Sequence, residues 1–569
     1  TTEIYTLSLH DALLIFAKVY KTLYNSAESV EGMEHLKARI RDLLSVEGSV
    51  NEMEKVSAET VKEAVSTMKP HKMDVSQGFA SDALLHAPDI MFSQLAMIFR
   101  SWLTHGTVTR SILACAFIPL VKGSKDPAST DNYRAIAGSS LILKIFERCV
   151  LLIWGDRMHT DTLQFGFKKR CSTSQATWLV QEVLQHYLRQ GSKPVAVVLD
   201  CSKAFDLAKF DILFGRLLDR SMPAIVVRIL AYSYQEQNAW IRWGRTCCSD
   251  TFPIGNGTRQ GSVASPAFWN VYLDPLFAKL RAAGIGCHIG GVFMGVVGYA
   301  DDLLLLAPSR DAAQKMISIC ELFTIENNIK FSTHEDPSKS KSKAIYVLGP
   351  KGDILTRPVP LQLCGNPLPW VERAEHLGHA LCQDGKMRQD LREKRAAFID
   401  SSVKIRECFH FAHPYEIIDA TEKYSTAAYG SNLWEYNSKE FDMFINVWQT
   451  GIKLSWGVPR GCRTYLLQTV LAPGKASIRP SLLLRGVTFF HGLTSSQSPE
   501  VTVAALLAAR DIRSTLGSNL AYIEELTGLD PWIVGRSELS AALNAADRVT
   551  IPETERWRIP ALSKLLTAR

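Results

Sequence analysis

The sequence predicts an α+β protein of several domains that ends in a helical C-terminal region. With 569 residues the chain is too long for one hydrophobic core, and 46% hydrophobic residues suffice to fill several. Short apolar runs bounded by turn residues fill about 191 to 375, whereas helical spacing of apolar residues dominates elsewhere. Helices packed on an antiparallel sheet define the α+β class.

From about residue 50 to 115 the pattern predicts helices, and "CAFIPLVKGSKDPASTDNYRAI" after it predicts a strand, a basic loop and a return segment. The stretch "SAETVKEAVSTMK" starts at a capping serine, Ser57, and repeats apolar residues at helical spacing, as does "DIMFSQLAMIFRSWL". Residues 1 to about 13 look like foreign translated sequence. We therefore expect residues 1–50 to be partly non-native or a linker.

The middle region contains two predicted hairpins and one strand that ends in an acid. The strand is "VAVVLD", which ends at Asp200, and the hairpins are "NAWIRWGRTCCSDTFPIG" and "FMGVVGYADDLLLLAP". After about residue 385 the strand pattern stops. Apolar spacing there predicts two long helices, marked by Leu391, Phe398, Ile405 and Phe409 and by Phe441, Phe444, Ile445, Trp448 and Ile452.

Composition narrows the classes of function. Lys plus Arg (64) exceed Asp plus Glu (57), and a net charge of +7 permits a polyanionic partner without requiring one. The twelve cysteines form no pair at zinc-site spacing, which favours a reducing intracellular compartment. No apolar run approaches the roughly 18 to 20 residues of a spanning helix, so we expect no membrane partner.

Three carboxylates stand where apolar strands end. Asp200 ends one strand, and Asp301 with Asp302 occupies a hairpin tip. Taken singly, each acid fits a turn or a helix cap equally well. If the strands are neighbours, the acids repel one another unless a cation lies between them, and oxygen ligands favour Mg²⁺ or Mn²⁺. Two such ions would support in-line phosphoryl transfer.

The segments around these acids resemble a known family. "VVLDCSKAFD", "GTRQGSVASP" and "GYADD" resemble, in this order, motifs A, B and C of reverse transcriptases. "FIPLVKGSKDPASTDNYRAIAGSSLILKIFER" and "QFGFKKRCSTSQA" resemble the preceding motifs of non-LTR (LINE-type) retrotransposon polymerases. The resemblance spans roughly residues 50 to 540. It implies a right-hand polymerase fold with fingers (51–190), a palm with an antiparallel sheet (191–385), a thumb (386–470) and a helical C-terminal region (471–569).

The resemblance also implies roles for the residues around the acids. Asp200 and Asp301 would hold two Mg²⁺ ions, or Mn²⁺ in their place, with Asp302 in support and the Cys201 carbonyl as a further ligand. Phe205 matches the steric gate that excludes a ribose 2′-hydroxyl. The alternative role for the Phe205 ring is simple packing beneath the strand.

Four further residues match nucleotide-contact positions. Gln260 and Gly261 match the segment along the template base and incoming nucleotide, where glycine permits close backbone approach. Arg134 and Lys122 match residues that hold the triphosphate, although solvated loop charges are the alternative.

Two other segments match the family less specifically. Lys339, Lys341 and Lys343 resemble motif D, where one lysine protonates the leaving pyrophosphate, and the sequence leaves open which one this is. "VERAEHLGHAL", around Leu377 and Gly378, resembles the primer-grip hairpin.

The implied function is that of a non-LTR retrotransposon RNA-directed DNA polymerase. It would extend the 3′-OH of a DNA primer on an RNA template with dNTPs, in the cytoplasm or nucleus, and an endonuclease encoded elsewhere or in a missing segment would supply the nick. Ala135 and Ala264 replace a usual proline and leucine, as in a decaying copy. The alternative is a decayed or domesticated polymerase-like scaffold that binds nucleic acid, but such a scaffold has no reason to retain three acids.

Overall fold

The structure is a computed structural model of the whole chain. It describes residues 9–27, 29–76, 78–123, 126–244, 247–349, 359–424, 428–458, 461–463, 467 and 477–548. Within these residues, helices surround two larger sheets, one mixed and one antiparallel, and three two-stranded sheets, and this mixture agrees with the predicted α+β class.

Helices form most of the described chain, and serine N-caps begin many of them. The helices are α1 (Leu9–Leu23), α2 (Val30–Leu43), α3 (Val46–Glu54), α4 (Ala58–Ser66), α5 (Ser81–Leu85), α6 (Asp89–His105), α7 (Arg110–Leu113), α8 (Leu141–Trp154), α9 (Thr173–Arg189), α10 (Ala204–Leu207), α11 (Phe210–Asp219), α12 (Ala224–Gln235), α13 (Ser265–Ala283), α14 (Arg310–Glu326), α15 (Arg388–Cys408), α16 (Pro414–Tyr424), α17 (Lys439–Trp456), α18 (Arg479–Thr494), α19 (Pro499–Arg510), α20 (Thr515–Thr527) and α21 (Arg536–Ala546).

The strands of the described chain lie between residues 115 and 382. They are β1 (Cys115–Val121), β2 (Tyr133–Ser139), β3 (Val195–Asp200), β4 (Asn238–Trp243), β5 (Cys247–Cys248), β6 (Phe252–Pro253), β7 (His288–Ile289), β8 (Val292–Phe293), β9 (Val296–Tyr299), β10 (Asp302–Ala307), β11 (Lys343–Tyr346), β12 (Gln362–Leu363), β13 (Asn366–Pro367), β14 (Arg373–His376) and β15 (His379–Cys382).

The predicted elements are largely confirmed. Ser57 caps α4 by accepting a hydrogen bond from the Thr60 amide, and the second predicted helix is α6. Both hairpins form, as β4–β5 and β9–β10, and β14–β15 turns at Leu377 and Gly378, which both have positive φ. The two predicted C-terminal helices are α15 and α17, although Phe409 lies one residue beyond α15 and is 39% exposed.

The first 50 residues include a helix that packs into the protein core. In α1, the Phe16 ring lies 4.9 Å from that of Tyr133, and Tyr24, just beyond the helix, stacks on Phe117 at 4.8 Å. Residues 9 to 13, which the sequence led us to treat as foreign, therefore begin a packed helix. Residues 1–8 lie outside the described residues. Among the described helices, none is long and apolar enough to cross a membrane.

The central sheet has the strand order β11–β3–β10–β9, and every neighbouring pair is antiparallel. Its strands are apolar because helices cover it, and no side chain from Leu303 to Ala307 is more than 1% exposed. The β3–β10 register sets Asp200 opposite Asp302. A second sheet, β2–β1–β4–β5, pairs β1 with β2 in antiparallel and with β4 in parallel orientation.

Truncation of a central-sheet residue is expected to destabilise the protein. Leu304→Ala removes a fully buried side chain from β10, so we expect the free energy of unfolding to fall by about 2–5 kcal/mol. Urea unfolding followed by circular dichroism measures this change. The matched control, Leu322→Ala on the exposed face of α14, should change it by less than about 0.5 kcal/mol.

Candidate active site

The three predicted carboxylates converge at one end of the central sheet. Asp200 is the last residue of β3 and pairs with Asp302, the first residue of β10. Asp301 stands in the two-residue turn that joins β9 to β10, after Ala300, whose φ is +59°. The hairpin tip predicted from "GYADD" is thus confirmed, and the turn holds Asp301 beside the end of β3.

Burial and neighbouring acids raise the pKa values of Asp301 and Asp302. Burial raises the pKa of Asp301, with a further contribution from Asp200. Burial, then the charges of Asp301 and Asp200, raises the pKa of Asp302 to about 6. Burial and the same acids raise the pKa of the Cys201 thiol, so its sulfur stays protonated. A cation at this end of the sheet would relieve the repulsion between the carboxylates.

A cavity of about 650 Å³ opens at these acids. Seven of the nine residues predicted to form the site line it, and Asp302 and Gly261 are the two that do not. The lining comprises Val19, Tyr20, Leu23, Lys122, Thr130, Asp131, Tyr133, Arg134, Ala135, Asp200, Cys201, Ser202, Lys203, Ala204, Phe205, Asp206, Gln260, Asp301 and Lys341.

The residues around the acids fit a divalent cation that is completed by ligands from outside the protein. In the described part of the chain, no group of three or more His, Cys, Asp or Glu side chains is arranged to enclose a metal ion. Asp200 and Asp301 nevertheless line one cavity. Mg²⁺ commonly binds through one or two carboxylates plus water and substrate phosphates, so this pair is a suitable donor set.

Phe205 forms part of the cavity wall in helix α10. Its ring is 5.0 Å from Trp269 and 6.3 Å from Phe167, and its carbonyl accepts a hydrogen bond from the Thr258 amide at 2.6 Å. The side chain is half-buried, so one part of the ring is packed and the other faces the cavity. Packing and a steric role at the cavity are therefore compatible.

The segment that carries Gln260 and Gly261 lies against β2. The Gln260 carbonyl accepts a hydrogen bond from the Ala137 amide at 2.7 Å. Gly261 has a φ of +117°, and a Cβ atom there would lie 2.8 Å from the Ala137 oxygen, so this position requires glycine. Glu147 accepts hydrogen bonds from the Val263 and Ala264 amides, which fixes the start of α13.

Lys122 and Arg134 line the cavity from the end of the β1–β2 hairpin. Arg134 pairs with Leu120 in this hairpin. The Lys122 Nζ donates to the Asp131 carbonyl at 2.8 Å, and Asp131 also accepts from Lys203 at 3.5 Å. Three cationic side chains thus share this wall with one acid, which suits a bound polyphosphate.

The structure separates the three lysines that the sequence left equivalent. Lys341 lines the cavity, Lys339 forms an exposed ion pair with Asp336, and Lys343 lies in β11. The part of α1 that lines the cavity, Val19, Tyr20 and Leu23, was not predicted from the sequence. The apolar spacing of that helix was the available signal, but residues 1–50 were expected to be partly non-native or a linker.

Gln164, which was also not predicted, braces the turn that carries Asp301. Its Oε1 accepts a hydrogen bond from the Ala300 amide at 3.0 Å, and its Nε2 donates to the Ala300 carbonyl at 3.2 Å. A Cβ atom on Gly166 would lie 2.3 Å from the Ala300 nitrogen, so the loop around Gln164 fits tightly against the turn. Gln164 is 1% exposed and holds the residue that precedes Asp301.

Comparison with known proteins identifies the domain that contains this site. Residues 122–381 match the family described as reverse transcriptase (RNA-dependent DNA polymerase). Relatives include a Pol polyprotein from retrotransposable element R2 of Nasonia vitripennis, 24% identical over 50% of this chain and 26% of the relative. The RNA-directed DNA polymerase from mobile element jockey of Drosophila funebris is 24% identical over 51% of this chain and 32% of its own length.

The similarity therefore spans about half of this chain and less than a third of either relative. The matched residues contain all three acids and nearly the whole cavity lining, apart from the residues of α1. Residues 122–381 therefore match the reverse transcriptase family, and the chain is similar to the Pol polyprotein of element R2 and to the RNA-directed DNA polymerase of element jockey.

Proposed function

We propose that the chain is an RNA-directed DNA polymerase of a non-LTR retrotransposon, which extends a DNA primer on an RNA template with dNTPs. The observation that carries this proposal is the convergence of Asp200 and Asp301 on a cavity that Phe205 and Gln260 also line. In a scaffold that only binds nucleic acid, repulsion between adjacent, partly buried acids would be a cost without a benefit.

The proposal assigns the regions of the chain to a right-hand polymerase. Residues 51–190 would be the fingers, 191–385 the palm, 386–470 the thumb and 471–569 a helical C-terminal region. The sheet that bears the acids supports the assignment of the palm. Part of the thumb and C-terminal assignments, at 425–427, 459–460, 464–466, 468–476 and 549–569, lies outside the described residues.

Several side chains at the cavity would have a chemical task in nucleotide addition. Two Mg²⁺ ions, or Mn²⁺, held by Asp200 and Asp301 with the Cys201 carbonyl, would activate the 3′-OH and stabilise the leaving pyrophosphate. Asp302 adds negative charge from outside the cavity lining. Lys122 and Arg134 would bind the triphosphate oxygens, and Lys341 would donate a proton to pyrophosphate.

The cellular context forms part of the same proposal. Described thiols such as Cys248, Cys364 and Cys408 are exposed and unpaired, which favours a reducing compartment, in the cytoplasm or nucleus. The primer would be a chromosomal end nicked by an endonuclease encoded elsewhere or in a segment beyond this sequence.

Loss of one metal-ligand acid should abolish synthesis. Asp301→Ala removes a carboxylate from the cavity, so we expect extension of a DNA primer on an RNA template to fall to background. Binding of the primer–template should change by less than about twofold, because the loss is of a metal ligand and not of a nucleic-acid contact. Gel-based extension and fluorescence anisotropy measure the two effects.

The matched control for this experiment is Asp311→Ala, an exposed acid on α14 that should leave extension unchanged. Synthesis by Asp301→Ala would contradict the assignment. Absence of synthesis by the unmodified protein, with the hybrid still bound, would support the scaffold instead.

Truncation of the gate residue should admit ribonucleotides. Phe205→Ala removes the ring that would contact a 2′-hydroxyl, so we expect the preference for dNTPs over rNTPs, as a ratio of kcat/KM, to fall about tenfold or more. Phe205→Tyr keeps the ring and should retain the preference. An unchanged ratio in Phe205→Ala would mean that the ring only packs against Trp269.

Lys341 and Lys339, two of the three lysines compared above, provide a test of proton donation. Lys341→Ala should slow the chemical step about 10²-fold or more, because a general acid in the cavity is lost. Lys339→Ala, which removes an exposed lysine two residues away, should have no effect. Rapid-quench measurement of single nucleotide addition separates chemistry from binding. Equal effects of the two variants would remove Lys341 from this role.

A further inference from the structure

A buried carboxylate behind the nucleotide cavity has no role in the reaction described above. Asp206 follows the gate residue Phe205 in α10 and is 8% exposed. It lines the cavity but stands apart from the three acids at the end of the central sheet. A buried carboxylate is costly unless its hydrogen bonds are satisfied, so its partners indicate what it does.

One oxygen of Asp206 joins two distant parts of the chain. Its Oδ1 accepts a hydrogen bond from the Tyr24 hydroxyl at 2.7 Å and another from the Gln260 Nε2 at 2.8 Å. Tyr24 follows α1 and is 2% exposed, whereas Gln260 belongs to the segment beside β2. Burial raises the pKa of Asp206, while these bonds and the charges of Lys203 and Lys122 lower it.

The backbone of Asp206 is fixed as tightly as its side chain. The Asn256 Nδ2 donates to the Asp206 carbonyl at 2.7 Å and also to the Leu23 carbonyl at 3.1 Å. Gly257 has a φ of +92°, and a Cβ atom there would lie 2.7 Å from the backbone carbonyl oxygen of Asp206. Asp206 is therefore held between the end of α1 and the segment that leads to Gln260.

The chemistry of the pair restricts the orientation of the Gln260 amide. An ionised carboxylate only accepts hydrogen bonds, so Gln260 must turn its Nε2 toward Asp206. The amide oxygen and the second N–H then remain for a ligand in the cavity, which Gln260 lines. With a neutral amide in place of Asp206, either orientation of Gln260 would find a partner.

We propose that Asp206 is a positioning residue that sets the amide orientation of Gln260 and thereby the affinity for the incoming dNTP. Tyr24, which directly follows helix α1, helps to hold the Asp206 carboxylate in place through its hydrogen bond. This inference rests on the proposed function, because it assumes that a nucleotide binds beside Gln260. A purely structural role for Asp206 would affect the whole site, whereas the proposed role affects dNTP affinity only through the Gln260 side chain.

The direct test replaces the carboxylate by an amide of the same shape. We expect Asp206→Asn to weaken dNTP binding about fivefold to tenfold, because the Gln260 orientation is no longer enforced. The KM for dNTP should rise by the same factor while kcat changes less than about twofold. Binding is measured on a dideoxy-terminated primer with its RNA template, and KM on the extendable primer.

A matched control separates positioning from the general cost of changing a buried acid. Asp74 is 4% exposed and accepts hydrogen bonds from the Leu141 and Ser76 amides, but it does not line the cavity. Asp74→Asn should lower the melting temperature without changing dNTP affinity. Equal losses of affinity in Asp74→Asn and Asp206→Asn would overturn the proposal.

A double-mutant cycle with Gln260→Ala tests whether Asp206 acts through Gln260. In the Gln260→Ala background, Asp206→Asn should have no further effect on dNTP affinity. A full additional loss would overturn the proposal. If Asp206→Asn does not fold, Tyr24→Phe serves in the same cycle, because it removes one partner of Asp206 and should weaken binding about twofold to threefold.

The outcomes distinguish this inference from the proposed function. If the unmodified protein extends the primer and Asp206→Asn binds dNTP with unchanged affinity, only the positioning role is overturned. If the unmodified protein neither binds dNTP nor extends the primer, the proposed function fails and the positioning role fails with it.

Discussion

The antiparallel pairing of β3 with β10 is the interaction on which the candidate site depends. Its register sets Asp200 opposite Asp302 and leaves Asp301 in the turn beside them. Three like charges would separate if the chain were free to move. The apolar side chains of these strands are almost fully buried, and the hydrophobic free energy of that burial keeps the acids together.

Contacts from outside the central sheet fix two parts of the site that the strand pairing does not hold: the turn before Asp301 and the segment that carries Gln260. Gln164 hydrogen-bonds both backbone groups of Ala300, so the turn before Asp301 cannot rotate without losing two buried bonds. On the far side of the cavity, the buried pair of Glu147 and Arg259 holds the segment that carries Gln260. The rigidity of the site therefore comes from residues that do not touch the cavity.

Site residues could be located from the sequence where a local pattern of residues determines where the side chain lies. Asp200 and Asp301 were found because apolar strands end in acids, and Gly261 because it matches a motif where glycine permits close backbone approach, which its φ of +117° and its contact with Ala137 agree with. It was insufficient for Lys341, because three lysines at alternate positions differ only in tertiary surroundings. It also failed for Tyr24, whose partner Asp206 is 182 residues away and carries no pairing signal.

The position of Asp302 explains why a third acid is useful without being a lining residue. It does not line the cavity, yet its charge would contribute to the field in which Asp200 and Asp301 are proposed to bind a cation. Burial, and then the charges of Asp301 and Asp200, raises the pKa of Asp302 to about 6, so part of the cost of ionising it is repulsion from the other two acids. A bound divalent cation reverses this balance, because all three ionised acids then attract the cation. The same three charges that repel one another would therefore attract the cation. The free energy gained by burying the apolar strands offsets the cost of this repulsion.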